Sequence, residues 1–155
     1  MIDEAAVTRP EIETASCRRI ATNDALGRQN GSVLELVKEE NRTRAYITTV
    51  LPGKSKGYHL HKIRSCTFVV LKGAVRFIFL RDGRRTHIDA SETEPRRVHV
   101  PPGVFTGICN LGDCEAWIFN YSDPPYDPAQ HDEQVDAPME NTPHLLRHTD
   151  NPELH

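Results

Sequence analysis

Nine short segments rich in β-branched and aromatic residues follow one another between residues 32 and 121, and almost nothing but turn formers separates them. They read "SVLELV" (32–37), "RAYITTVL" (44–51), "GYHLH" (57–61), "CTFVVL" (66–71), "AVRFIFL" (74–80), "THID" (86–89), "RVHVP" (97–101), "FTGICN" (105–110) and "EAWIFNY" (115–121). The punctuation consists of "LPGKSKG", "LKG", "RDGR", "PPG" and "NLGD". Asp82-Gly83 accepts the positive φ values of a tight hairpin turn, so the segments on either side of it are predicted to pair. No long stretch has helical period. Such a chain buries its apolar faces by laying antiparallel sheets on one another, which predicts an all-β sandwich or barrel.

With 155 residues the chain can bury one sizeable core. Residues 1–28 read as an irregular N-terminal segment, 29–128 as the domain, and 129–155 as a polar C-terminal tail dense in Pro, Asp, Glu and His. Within the tail, "HLLRH" is at most a short helical turn. A net charge of -3 and a pI near 6.2 carry no electrostatic footprint for nucleic acid. The apolar runs fall far short of a bilayer span and the start lacks a signal-peptide pattern, so no membrane partner and a cytoplasmic location are expected. Cys17, Cys66, Cys109 and Cys114 form no CxxC pair, which suggests neither a zinc knuckle nor a disulfide framework.

One segment concentrates chemistry. In "KGYHLHK", strand alternation puts His59 and His61 on one face and Tyr58 and Leu60 on the other. Two imidazoles sharing a cavity could transfer protons, bind a metal, or simply pack.

The wider spacing resembles the cupin superfamily, a β-sandwich or jelly roll. Its first motif sets a glycine, an HxH pair, a glutamate and a second glycine where this chain has Gly53, His59-x-His61, Cys66 and Gly73. The second motif, PxG followed by His and Asn, corresponds here to Pro101-Pro102-Gly103, Thr106 and Asn110. Two metal-ligand positions of the motif are thus occupied by Cys66 and Thr106, and this departure implies a site with no metal and no cofactor. A His59, His61, Cys66 metal site, as in an oxygenase-type cupin, is the alternative.

Within the cupins the chain resembles two families of enzymes that remodel nucleotide-linked 4-keto-6-deoxy sugars. "KGYHLHK" is similar to the RGxHxQ strand of dTDP-4-dehydrorhamnose 3,5-epimerases and closer to the RGxHAHK strand of dTDP-sugar 3,4-ketoisomerases. "PPYDP" echoes the epimerases' YYxP element, and "AYITTVLPG" the ketoisomerases' upstream tyrosine segment. The resemblance implies a homodimer acting on a nucleotide-linked keto sugar, with a dTDP-sugar the first choice. It implies that His59 is the base that removes the proton next to the ketone, with His61 as second proton carrier. Tyr46, Lys56, Arg64, Arg76, Asn120 and Tyr126 are the implied substrate-binding residues, Arg64 and Arg76 being cations suited to a diphosphate. Asn120 falls where the epimerases carry the tyrosine that returns the proton, and an amide cannot do so. A sugar-binding shell without catalysis is therefore a further alternative.

Overall fold

The structure, a computed structural model, describes residues 11–130 and the backbone of 134–136. Its strands in chain order are β1 (Arg19–Asn23), β2 (Gln29–Glu39), β3 (Arg42–Val50), β4 (Ser55–His61), β5 (Ser65–Lys72) and β6 (Ala74–Arg81), followed by β7 (Arg84–Ser91), β8 (Arg97–Val100), β9 (Phe105–Asn110), β10 (Ala116–Tyr126) and β11 (Gln134–Asp136). They form two antiparallel sheets, one of six strands in the order β1-β2-β3-β10-β5-β8 and one of five in the order β11-β4-β9-β6-β7. Each of the nine predicted segments lies within or overlaps a strand.

Alternation decides what each strand buries. In β6, Val75 and Phe77 are fully buried and Phe79 packs beside them, all turned toward the six-stranded sheet. In β10 the inward set is Ala116, Ile118, Asn120 and Ser122, while Trp117 and Tyr121 face out. The rings of Phe68 and Phe77 meet between the two sheets with centroids 5.2 Å apart. Asp82 and Gly83 carry φ values of 51° and 71°, and the ladder closes as Arg81 opposite Arg84, which is the tight turn expected there.

Two strands lie outside the predicted nine. Part of the segment read as irregular, Arg19–Asn23, pairs with β2, which itself begins at Gln29. In the tail, Gln134–Asp136 pairs with β4. Both are sheet edges whose own sequences carry little signal; the open rim of the neighbouring strand recruits them. The remaining tail, 137–155, and with it "HLLRH", lies outside the described residues.

Candidate active site

Toward one end of the sandwich the apolar core gives way to polar inward residues, and the sheets enclose a cavity of about 800 Å³, within the range of small-molecule sites. The five-stranded sheet lines it with Lys56, His59, His61, Thr106 and Ile108, and the six-stranded sheet with Tyr46, Thr48, Cys66, Phe68 and Asn120. Phe68 supplies part of its apolar wall, whereas Val70 lies deeper in the core.

Strict alternation would turn Lys56 away from His59. The β4–β9 ladder runs Lys56 opposite Ile108 and then His59 opposite Thr106, so β4 spends three residues where β9 spends two. This bulge resets the phase of the strand and brings Lys56 to the same cavity as both histidines. It is built at Gly57, whose φ is +118° and where a Cβ would lie 2.7 Å from both Gly107 Cα and the Thr106 carbonyl oxygen. Only glycine fits. Tyr58 points the other way, into a second cluster with Ile78 and Cys109.

From β4, the Lys56 side chain reaches across to the other sheet, where Nζ donates to the Ser32 carbonyl at 3.1 Å. Burial pushes its pKa down to about 8, with Glu115 opposing the shift. Gly31 leaves room for this crossing, since a Cβ there would come within 3.1 Å of Lys56 Cε and collide with the Thr49 carbonyl.

Arg64, in the β4–β5 connection, is 3% exposed. Its guanidinium lies 3.5 Å from His61 Nε2 on one side and stacks on the Tyr126 ring, 4.5 Å to the centroid, on the other. On β3 and β10, Tyr46 and Asn120 stand directly opposite in register, and Asn120 Nδ2 donates to Tyr46 Oη. At the edge of the five-stranded sheet, the backbone of β11 sets Asp136 opposite His59 and Gln134 opposite His61.

The sequence-derived set is thus mostly gathered in one place: His59, His61, Tyr46, Lys56, Arg64 and Asn120 all line the cavity. Two residues do not. Arg76 sits on the opposite face of β6 from Val75 and Phe77, pairing with Asp89 through bonds of 2.7 and 2.9 Å, so it cannot reach the cavity. Tyr126 lies behind Arg64 and touches the cavity only through that guanidinium. The β1–β2 turn also contributes to the wall, with Asp24, Leu26 and Arg28 at the mouth. Nothing in the residues of that turn signals a cavity; only the pairing of β1 brings it there.

The donors among the described residues do not fit a metal of the kind the cupin motif holds. Among the described residues no three His, Cys, Asp or Glu side chains are placed to share an ion. The Arg64 cation lies against His61 Nε2, and Cys66 Sγ is sunk among core side chains, 4.0 Å from Ser122 Oγ. A cation beside a prospective ligand nitrogen opposes the approach of another cation.

Comparison with known proteins agrees with the architecture. The family model described as the polysaccharide biosynthesis C-terminal domain matches residues 27–134. No curated protein matches the chain in sequence. Among solved structures, the capsular polysaccharide assembling protein CapF from Staphylococcus aureus is similar over 77% of this chain, with 24% identity and a TM-score of 0.64. The match covers 32% of that protein, so the chain spans about a third of its length. A dTDP sugar isomerase from Desulfovibrio desulfuricans G20 is 22% identical, with a TM-score of 0.58, over 81% of this chain and 83% of its own. NovW, a 4-keto-6-deoxy sugar epimerase from the novobiocin biosynthetic gene cluster of Streptomyces spheroides, is 19% identical, with a TM-score of 0.53, over 78% of this chain and 66% of its own. What these likenesses share with the chain is the fold, and that fold is the cupin sandwich.

Proposed function

The chain belongs to the polysaccharide biosynthesis C-terminal domain family, and from that premise we propose that it is a sugar isomerase in which His59 removes the proton beside the ketone of a nucleotide-linked 4-keto-6-deoxyhexose. The observation that carries the reading is the β4 bulge, which brings two imidazoles and the Lys56 side chain to the same cavity. A ketone acidifies the neighbouring C–H bond. An imidazole removes that proton, and nearby cations and hydrogen-bond donors stabilise the enolate oxygen that results. Lys56 and Arg64 are the cations at hand.

Two copies of the chain are proposed to pair through the outer face of the six-stranded sheet. Support comes from the cross-strand row Leu34, Ile47, Phe119 and Val69, with Leu71, Trp117 and Tyr121 exposed around it. The dTDP-sugar isomerase and the 4-keto-6-deoxy sugar epimerase among the structural neighbours support the choice of substrate class.

The test is hydrogen exchange. In deuterated water with dTDP-4-keto-6-deoxyglucose, the protein is expected to place deuterium at C3, and His59→Gln to slow this by at least about 100-fold. Absence of exchange with that sugar and with its UDP counterpart, while both bind, would identify a binding shell without catalysis.

A further inference from the structure

Inverting a carbon beside a ketone needs a second proton carrier on the face of the sugar opposite the base. His59 belongs to the five-stranded sheet, so the opposite wall is the six-stranded one. Of its lining residues, Val33, Phe68 and Val100 carry no transferable proton, while the hydroxyls of Thr22 and Thr48 and the amides of Asn23, Asn30 and Asn120 are too weakly acidic. Cys66 is 2% exposed and embedded in the core cluster. Tyr46 lines the same wall and differs from these: it is a phenol, and it is only partly buried.

Its oxygen is also held. Asn120 Nδ2 donates to Tyr46 Oη from the directly opposite position on the neighbouring strand, and Asn120 is itself 3% exposed. The other end of that amide, Oδ1, is buried with no hydrogen-bond partner among the described residues, which leaves an acceptor for a sugar hydroxyl. We infer that Tyr46 delivers the proton opposite His59, and that Asn120 is the residue that positions it.

This assignment rests on the function proposed above. His59 takes the C–H proton, and the electron pair of that bond becomes the carbon–carbon double bond of the enolate, with the charge on the ketone oxygen. The Tyr46 O–H bond then breaks and its proton adds to the same carbon from the other side. The carbonyl reforms as the double-bond electrons make the new C–H bond. The phenolate, stabilised by the Asn120 N–H, regains a proton from water, and the His59 imidazolium releases its own to water. The sum is inversion at one carbon, with no oxidant or reductant consumed.

The experiment reads two signals from one sample of the full chain: deuterium at C3 of dTDP-4-keto-6-deoxyglucose, and configuration at the exchanging carbon, both by NMR. Tyr46→Phe is expected to lower inversion by at least about 100-fold while exchange with retention stays within about tenfold of the unmodified protein, because His59 can remove the proton, trade it for a deuteron from solvent and return that deuteron to the same face. Asn120→Ala should lower inversion by about tenfold through loss of the bond to Oη. Binding of dTDP and circular dichroism verify that each variant is folded. Inversion at the unmodified rate in Tyr46→Phe would overturn the assignment, as would equal loss of exchange and inversion in that variant. If the unmodified protein exchanges without ever inverting, the Tyr46 assignment falls and the role of His59 stands; if it never exchanges, both fall.

Discussion

Replacing Lys56 by Met is expected to make the protein more stable and less active at the same time. The amine is carried across the cavity and bonded to the Ser32 carbonyl at 3.1 Å, yet burial still lowers its pKa from 10.5 to about 8. That displacement corresponds to about 3 kcal/mol of cost for holding the charged form in the folded state. Methionine fills much of the stem's volume and forfeits a hydrogen bond worth about 1 kcal/mol. At pH 7 the variant should therefore be more stable by roughly 2 kcal/mol.

The pH dependence has a definite sign. Below about pH 8 the lysine is protonated in both states, and the folded protein bears the whole desolvation cost. Between about 8 and 10.5 the folded state releases the proton while the unfolded chain keeps it, so this contribution to stability rises with pH. Urea titrations of both proteins from pH 7 to pH 10 should show the gap closing across that window, other titrating groups cancelling in the difference. A constant gap, or an unmodified protein that is the more stable at pH 7, refutes the reasoning. Turnover of the keto sugar should fall by about tenfold or more as the cation is lost.

Gly57→Ala should cost more than about 3 kcal/mol, because the new methyl group meets backbone at 2.7 Å on a residue held at φ +118°; chemical denaturation reads this directly. Arg76→Met should leave sugar turnover unchanged, since the guanidinium pairs with Asp89 on the face of β6 turned away from the cavity; a large loss of turnover in a folded variant would contradict that placement. Phe119→Lys should shift the protein toward monomer in sedimentation velocity, as it sets a charge in the middle of the proposed pairing face.

The parts of the fold legible in the sequence are those that carry their own period. "AVRFIFL" and "EAWIFNY" each have an apolar face wherever they are placed, so their strands can be read in isolation. The segments "RIATN" and "QVD" have no such face and become β1 and β11 through the rims of β2 and β4. The site shows the same division. His59 and His61 are two apart on one strand, and alternation suffices to put them together. Lys56 joins them only through a bulge, which depends on contacts with β9 from a distant part of the chain. Arg76 is the converse case: with Val75 and Phe77 inward, alternation alone already turns it out of the core, and its charge was the poorer guide. The stacking of Arg64 on Tyr126, 62 positions later, has no local signature.

The facing pair Tyr46 and Asn120 has a consequence for how relatives of this chain are compared. Two residues directly opposite on adjacent antiparallel strands present their side chains to the same few ångströms of space, so their identities can be exchanged without moving the chemistry. Matched position by position to the epimerase pattern it resembles, the chain has Asn120 in place of a tyrosine on the last core strand and reads as an extinct enzyme. The ladder shows the phenol seated one lane over. Inventories of catalytic groups in β-sandwich enzymes are better kept by lattice position than by column, with every cross-strand neighbour of a missing residue searched before the activity is declared lost.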